Sequence, residues 1–330
     1  MSKRIQFSKT GGAEVLEWVE VEPAAPAAGE VRIANKAVGL NFIDIYFRTG
    51  LYPAPAMPSG LGTEGAGTVD AVGEGVRAPK KGERVATVPS FALSQTQQGV
   101  YGESAVVPAE VAVPYPANLS SMQGAAIWMQ YLTAYGALVH YGGIGPDDVA
   151  LITAASSSVG IAAIQIAKER GATAIATTRH SAKRAALLDI GADYVVATEE
   201  EDLPERVIEI TDGGGARIAF DPVAGPMLTT LAAAAAPHGT IFEYGALHTA
   251  ETDYPLMPML AKSLNIVGYQ VLDFVLDPAR FGAAREYIFA GLDSGALTPV
   301  IDRIFPLDQI VAAHQHMESN TQCGKIVVTV

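Results

Sequence analysis

The stretch Val149-Ala-Leu-Ile-Thr-Ala-Ala-Ser-Ser-Ser-Val-Gly160 decides the fold of this chain. Its first five residues, Val149 to Thr153, form an apolar run that predicts a buried strand, and the segment from Val159 to Arg170 predicts a helix. The loop between them consists of small residues. A small-residue turn that follows a strand and opens a helix is the setting in which Rossmann folds hold a pyrophosphate. We therefore predict a dinucleotide-binding loop at this junction.

The loop departs from the usual dinucleotide pattern, G-x-G-x-x-G. Of the positions 155, 157 and 160, only Gly160 is glycine, because Ala155 and Ser157 stand at the other two. Small residues still let the backbone approach a phosphate, and serine hydroxyls can donate hydrogen bonds to it. Taken alone, the loop also fits an ordinary strand-to-helix turn, so the choice depends on its context.

The end of the next predicted strand indicates which dinucleotide fits. NAD sites place a carboxylate about 20 residues beyond the last glycine. Here Arg179 stands 19 residues beyond Gly160 (179 − 160), and residues 177–184 contain no Asp or Glu. A guanidinium, the Ser181 hydroxyl and the Lys183 ammonium suit a 2′-phosphate. The sequence therefore predicts NADPH as the cofactor. The alternative is a solvated, basic first turn of a helix.

Beyond this loop, two parts of the chain differ in their pattern of predicted strands and helices. Predicted strands and helices alternate as far as Gly268, which indicates βαβ units and a parallel sheet. The part up to about residue 120 has short β-branched runs separated by Gly and Pro, as in a barrel or sandwich. Between the two parts, Gln123 to His140 predicts one long helix, and Ala232 to Ala236 reads as an Ala-rich helix. The predicted class is α/β.

Composition limits the functions that are possible. The 330 residues suffice for two domains, and the net charge of −13 argues against a nucleic-acid partner. Cys323 is the only cysteine, which excludes an internal disulfide and a multi-cysteine zinc site. No stretch approaches the roughly 18 apolar residues of a membrane span, and the N-terminus shows no signal-peptide pattern. We expect a cytoplasmic protein without a membrane partner.

Four segments together identify a family resemblance. The runs Gly39-Leu-Asn-Phe-Ile-Asp-Ile-Tyr-Phe-Arg-Thr-Gly-Leu-Tyr-Pro53, Leu61-Gly-Thr-Glu-Gly-Ala-Gly67, Ala154-Ala-Ser-Ser-Ser-Val-Gly160 and Gly324-Lys-Ile-Val327 resemble the quinone oxidoreductases of the medium-chain dehydrogenase/reductase superfamily. The resemblance covers essentially the whole chain. It implies a GroES-like catalytic domain at residues 1–123 and 269–330, an inserted Rossmann domain at 124–268, NADPH in the cleft, and a homodimer.

The same resemblance bears on metal binding. Zinc alcohol dehydrogenases of this superfamily hold the catalytic metal with a Cys and a His–Glu pair, but Asn41 stands near the first position and Thr63 replaces the His before Glu64. Without thiolate or imidazole at these places we expect no metal site. His314 and His316, two residues apart on a predicted helix, point to different faces and are expected to be surface or packing residues.

The resemblance also implies roles for individual residues. Tyr52 and Asn41 are the candidate catalytic hydrogen-bond donors, although Tyr52 also fits an ordinary loop tyrosine. For Tyr46 and Thr133 the alternative is that they pack in the protein and do not bind the cofactor. The expected cofactor contacts are Tyr46, Thr133, Ser156, Ser157, Ser158, Val159, Gly160, Arg179, Ser181, Lys183, Tyr244, Gly245, Ala246, Leu247, Tyr269, Gln270, Val271 and Lys325.

These features lead to one function hypothesis and two alternatives. Without a metal, hydride transfer suits quinones and activated enones, because these are good acceptors and donors such as Tyr52 can stabilise the charge that develops on their carbonyl oxygen. The first alternative is an enoyl-thioester reductase. The second is a dinucleotide-binding protein with a structural or RNA-associated role, which the acidic net charge disfavours.

Overall fold

The computed structural model describes residues 1–53, 56–90 and 99–330 of the chain. Its contacts divide the chain into unit 1, at 1–129, 275–281 and 299–330, and unit 2, at 130–274 and 282–298. This division differs from the expected boundaries at 124 and 269 mainly in residues 282–298. That segment joins unit 2, where the Gln165 amide donates to the Thr298 carbonyl at 3.0 Å and accepts from its N–H at 3.1 Å.

Unit 2 is built on a six-stranded, all-parallel sheet with the strand order β11-β10-β9-β12-β13-β14. Counted from its first strand this order is 3-2-1-4-5-6, the Rossmann arrangement, in which ligands bind beyond the carboxyl ends where the order reverses. The strands are β9 (Val149–Ile152), β10 (Thr173–Thr178), β11 (Tyr194–Ala197), β12 (Ala216–Asp221), β13 (Ala235–Glu243) and β14 (Asn265–Gly268).

Helices connect these strands, and their apolar residues fill the core. Leu151, Ile175, Val196 and Ile241 are buried in one cluster with residues of the helices. The helices that fall wholly or partly in unit 2 are α3 (Trp128–Tyr135), α4 (Ser158–Glu169), α5 (Arg184–Ile190), α6 (Leu203–Ile210), α7 (Met227–Ala234), α8 (Leu256–Lys262), α9 (Val271–Val275) and α10 (Pro278–Ser294).

Two helix predictions are wrong in detail. The long helix expected from Gln123 to His140 is instead α2 (Ser121–Gly124), α3 and a π-helical turn, Gly136–Tyr141. The alanine run is divided, because α7 ends at Ala234 and β13 begins at Ala235. Pro237 explains this division, since a proline inside the helix would lack the N–H and clash with the preceding turn.

Unit 1 holds two sheets. A seven-stranded sheet runs β15-β16-β3-β5-β6-β8, with β7 also paired to β3, and a small sheet runs β2-β1-β4. The strands are β1 (Ser2–Phe7), β2 (Glu17–Val21), β3 (Glu30–Gly39), β4 (Ser59–Gly60), β5 (Glu64–Val72), β6 (Arg84–Thr87), β7 (Ser104–Pro108), β8 (Ala112–Pro114), β15 (Ile301–Pro306) and β16 (Lys325–Thr329).

Two helices pack within unit 1, α1 (Phe42–Thr49) and α11 (Ile310–Glu318). The sequence predicts only a β-rich segment in the region of α1, so this helix is an addition to the prediction. Gly50 ends α1 in the left-handed conformation, with φ at 83°, which glycine adopts without steric cost. No helix among the described residues is long and apolar enough to cross a membrane.

A buried ion pair joins several elements of unit 1. The Lys325 Nζ donates to Glu64 Oε2 at 2.5 Å and to Asn41 Oδ1 at 2.7 Å, and all three side chains are buried. The second Glu64 oxygen accepts from the N–H groups of Trp128, at 2.8 Å, and Met129, at 3.1 Å. Strands β5 and β16 and the beginnings of helices α1 and α3 therefore meet at one carboxylate.

We expect Lys325→Met to destabilise the fold, because Glu64 would remain charged in the interior without a cation. The expected loss is about 3–5 kcal/mol in the free energy of unfolding. In Glu64→Gln/Lys325→Met the amide oxygen still accepts from α3 and no charge is left, so most of the loss should be recovered. Urea unfolding of both variants measures this. Equal losses in the single and double variants would contradict the expectation.

Candidate active site

The loop between β9 and α4 approaches the helix closely. A Cβ atom on Gly160 would lie 2.6 Å from the Ala155 Cα and 2.8 Å from the Ala154 carbonyl oxygen. Only glycine fits at that distance. Ala154 itself has a positive φ of 43°. The N-terminus of α4 and the turn before it are thus pressed together, which leaves the helix N–H groups facing the space beyond the strand end.

The serines of this loop have separate roles. Ser157 is the N-cap of α4, and its hydroxyl oxygen accepts from the Gly160 N–H at 3.0 Å. Ser156 accepts a hydrogen bond from the Lys183 ammonium at 2.9 Å. Ser158 and Val159 open the helix and are partly exposed. The structure therefore brings the predicted pyrophosphate loop and one predicted 2′-phosphate ligand into direct contact.

The basic corner after β10 contains acidic neighbours beside the predicted basic residues. Arg179 is exposed and forms no ion pair with any residue in the described ranges, so its charge is available. The Ser181 N–H, however, donates to Glu200 Oε1 at 2.9 Å. His180 lies between two carboxylates, with Nε2 3.4 Å from Glu199 Oε2. The sequence window around Arg179 contained no carboxylate, but the neighbouring strand places two beside it.

Glu200 is held in its charged form. Its hydrogen bond from the Ser181 backbone lowers the pKa of the Glu200 carboxyl. Sequence reasoning missed Glu199 and Glu200, although one signal pointed to them. They stand in the turn that follows β11, which lies beside β10 in the parallel sheet, and the carboxyl ends of parallel strands meet at the same edge.

Three polar residues close the neighbouring strands at this edge. The Thr153 hydroxyl, directly after β9, donates to the Asp221 carboxylate at the end of β12. Glu243, at the end of β13, is the sheet partner of Asp221. The Tyr244 ring, predicted to lie near the cofactor, stacks on Phe220 with ring centroids 4.1 Å apart. None of Thr153, Asp221 and Glu243 was among the predicted site residues.

The loop after β13 is fixed by close packing. A Cβ atom on Gly245 would lie 2.9 Å from both the Cβ and the carbonyl oxygen of Pro222. The Leu247 N–H donates to the Pro222 carbonyl at 2.9 Å. Ala246 is exposed, and Gly245 and Leu247 are partly exposed. The residues predicted to contact the cofactor here thus form a rigid surface loop at the carboxyl edge of the sheet.

Tyr269 has a packing role. Its hydroxyl donates to the Leu132 carbonyl at 3.1 Å, and a Cβ atom on Gly136 would lie 2.0 Å from that hydroxyl. Thus a glycine in the π-helical turn makes room for the tyrosine. Thr133, on the same helix as Leu132, is also buried. Of the following two residues, also predicted to lie beside the nicotinamide, Gln270 is exposed and Val271 is buried.

In unit 1 the two candidate donors have different surroundings. The Asn41 amide nitrogen lies 3.2 Å from Glu64 Oε2 and 3.4 Å from the Gly39 carbonyl, so both of its hydrogens face protein acceptors. Tyr52 is partly exposed, and its ring lies 5.3 Å from that of Tyr46. Its hydroxyl has no hydrogen bond to any residue within the described ranges. Tyr52 is therefore the better placed donor.

Buried polar residues hold α1, which carries Tyr46, and help fix Tyr52 beside it. Asp44 accepts from the Tyr101 hydroxyl at 2.6 Å, and burial raises the pKa of Asp44 to about 6. Arg48, fully buried, pairs with Glu318 and lies 3.3 Å from His314 Nδ1. Burial lowers the pKa of His314 to about 3, so its imidazole is neutral.

The residues at the expected metal position do not fit zinc. An ammonium group, Lys325 Nζ, already occupies the space between Asn41 and Glu64, and a dication there would be repelled by it. Thr63 offers no thiolate or imidazole. Lys325, predicted to contact the cofactor, is thus committed to this ion pair. His316 lies 2.7 Å from Asp302, and the described residues include no group of three or more potential metal ligands.

Comparisons with known proteins agree with this geometry. Residues 27–117 match the alcohol dehydrogenase GroES-like domain, and residues 158–286 match the zinc-binding dehydrogenase family. Quinone oxidoreductase 1 of Escherichia coli is 36% identical, with 98% of each chain covered.

Solved structures show the same likeness. The Pseudomonas syringae quinone oxidoreductase superposes with a TM-score of 0.93 at 34% identity, over 100% of both chains. The Escherichia coli quinone oxidoreductase complexed with NADPH gives a TM-score of 0.91 at 35% identity, over 99% of this chain and 100% of that one. The expected family and fold class are confirmed: this chain is an oxidoreductase that belongs to the quinone oxidoreductase family of the medium-chain dehydrogenase/reductase superfamily.

Proposed function

We propose that this oxidoreductase transfers a hydride from NADPH to a quinone or an activated enone, without a metal ion. The observation that carries the proposal is the available charge of Arg179 beside Lys183, at the strand end next to the Rossmann loop. A related structure that contains NADPH supports the choice of cofactor. The family supports a quinone as one acceptor.

The chain's own residues would bind and orient the dinucleotide. The α4 N-terminus, with Ser156, Ser157 and the close packing at Gly160, suits the pyrophosphate. Arg179 and Lys183 suit the 2′-phosphate. When bound, NADPH supplies the hydride from C4 of its nicotinamide.

Tyr52 would stabilise the charge on the acceptor. Its backbone is restricted by the following Pro53 and by a hydrogen bond from its N–H to the Tyr46 carbonyl at 3.0 Å. The ring packs against Phe47 at a centroid distance of 5.7 Å, and the hydroxyl has no partner in the described part of the chain. A fixed ring with a free hydroxyl suits the carbonyl oxygen of an enone. Asn41 would then not contact the acceptor. Its role would be to fix the start of α1, because it is the residue directly before that helix.

We further propose a homodimer in the cytoplasm. Strand β14 lies at the edge of the parallel sheet, and the preceding helix α8 exposes Leu256, Met257 and Leu260 at 52%, 72% and 66%. An unpaired edge strand beside an apolar helix favours pairing with a second copy.

We expect NADPH to bind more tightly than NADH by about 1.5–3 kcal/mol, the scale of charge-assisted hydrogen bonds. Arg179→Ala should remove most of this difference, because NADH lacks the 2′-phosphate. Titration calorimetry with both cofactors measures it. Lys168→Ala is the matched control, since it removes an exposed cation at the other end of α4. Equal affinities in the wild type, or unchanged selectivity in Arg179→Ala, would contradict the assignment.

Tyr52→Phe should lower kcat and kcat/KM together for an enone, by about 10- to 1000-fold, because the lost hydrogen bond strengthens in the transition state. The loss for a quinone should be smaller, since its conjugated carbonyls delocalise the charge. NADPH affinity should stay nearly constant. Steady-state kinetics and a melting curve test this. A Tyr52→Phe enzyme with full rates and a lower melting temperature would mean that Tyr52 only packs.

Sedimentation equilibrium should give twice the chain mass of 34.4 kDa. Leu260→Glu should shift the protein toward the monomer, because a charge buried in an apolar interface is costly. Leu188→Glu is the control, since Leu188 is also exposed, at 43%, but lies on α5. A monomeric wild type, or a dimer unaffected by Leu260→Glu, would argue against this surface.

A further inference from the structure

Two carboxyl groups lie side by side at the carboxyl edge of the Rossmann sheet. Asp221 ends β12 and Glu243 ends β13, and the two residues are direct sheet partners. Paired residues of adjacent parallel strands direct their side chains to the same face. Asp221 is fully buried, and both Glu243 carboxyl oxygens are inaccessible to solvent.

The surroundings of the pair supply hydrogen bonds to one carboxyl and none to the other. Asp221 accepts from the Thr153 hydroxyl and, at 2.7 Å, from the Ala224 N–H. The Glu243 oxygens accept no N–H or O–H hydrogen bond from the other described residues, so their polar neighbour is the Asp221 carboxyl itself. Neither carboxyl forms a salt bridge with a Lys, Arg or His of those residues.

Two adjacent buried carboxyls without a cation cannot both be ionised at neutral pH. Asp221 has the donors that favour a carboxylate, so the charge belongs to it and the proton belongs to Glu243. Burial and the neighbouring Asp221 carboxylate raise the pKa of Glu243 to about 9. The other titratable groups on the adjoining segments are Tyr244, His248 and Tyr269. Burial raises the pKa of Tyr269 as well, so it stays neutral here.

The pair borders the place where the proposed function puts the cofactor. Thr153, which donates to Asp221, is the residue directly before the pyrophosphate loop, and β9 and β12 are the strands between which the sheet order reverses. A dinucleotide phosphate adds negative charge at this edge. A second ionised carboxyl would repel it, whereas a protonated one would not.

We propose that Glu243 is a positioning residue of the NADPH site that must carry a proton for the cofactor to bind tightly. This inference rests on the proposed function. The coupling works in both directions. If NADPH binds more tightly when Glu243 is protonated, bound NADPH also raises the affinity of Glu243 for its proton. NADPH binding near pH 9 is therefore accompanied by proton uptake at Glu243. The 2′-phosphate does not contribute at this pH, because it is already ionised.

Titration calorimetry at pH 9, in two buffers of different ionisation enthalpy, measures the protons taken up. The wild type should take up a measurable fraction of a proton per NADPH, since Glu243 is partly ionised at a pH near its raised pKa. Its affinity should fall by up to about tenfold between pH 9 and 10. Glu243→Gln, a neutral isostere, should bind NADPH as the wild type does at pH 7, take up almost no protons and show a flatter pH dependence. Any proton that Lys183 adds to the measured uptake is the same in the wild type and in Glu243→Gln, so it cancels in the comparison.

A matched control and a stability measurement complete the experiment. Glu200→Gln removes a carboxylate that is already ionised at the same sheet edge, so its proton uptake should equal that of the wild type. A melting curve at pH 7 should show that Glu243→Gln folds as the wild type does. Equal proton uptake by the wild type and Glu243→Gln would overturn the inference. So would a tenfold loss of NADPH affinity in Glu243→Gln at pH 7. If neither protein binds NADPH at pH 7, the proposed function fails first and the inference falls with it.

Discussion

The fully buried Glu64 carboxylate is the constraint on which unit 1 depends. A carboxylate in the interior requires compensation, and here it comes from the Lys325 ammonium, the Asn41 amide and two backbone N–H groups of α3. These partners come from distant parts of the sequence. Compensation of this one charge therefore holds strand β16, the start of α1 and the start of α3 together. Asn41 is rigid for this reason, and so is the helix that carries Tyr46.

The same ion pair limits the chemistry of the chain. Lys325 supplies a single positive charge that Glu64 neutralises, so no net cation remains to polarise a substrate. In the proposed function, stabilisation of a developing oxyanion would then fall to neutral donors such as the Tyr52 hydroxyl. A neutral donor gives less stabilisation than a metal ion, which favours acceptors that are already activated by conjugation. The packing of the interior would in this way be connected to the proposed substrate class.

Sequence patterns predicted the features that depend on local spacing. The strand–turn–helix at Gly160 and the alternation of strands and helices follow from periodicity and small residues, and the structure has both. The patterns could not show contacts that cross between elements. The sequence predicts Tyr269 beside the cofactor, and the structure adds that its hydroxyl donates to the Leu132 carbonyl, a contact for which Gly136 leaves room. The sequence predicts Ser181 beside a phosphate, and the structure adds that its N–H donates to Glu200, in the turn after β11.

The carboxyl edge of the Rossmann sheet is best understood as a balance of charges. In the proposed function Arg179 and Lys183 would attract a phosphate, whereas the neighbouring Glu199 and Glu200 would reduce that attraction. Farther along the same edge lie the carboxyls of Asp221 and Glu243, which under the proposal above carry one negative charge between them. None of these carboxyl groups lies in a sequence motif, so the sequence alone does not mark them as site residues. Their proximity arises only from the parallel sheet, which brings the ends of β9 to β13 to one line. If both proposals hold, the affinity for NADPH depends on how many of these carboxyls are ionised as well as on which basic residues are present.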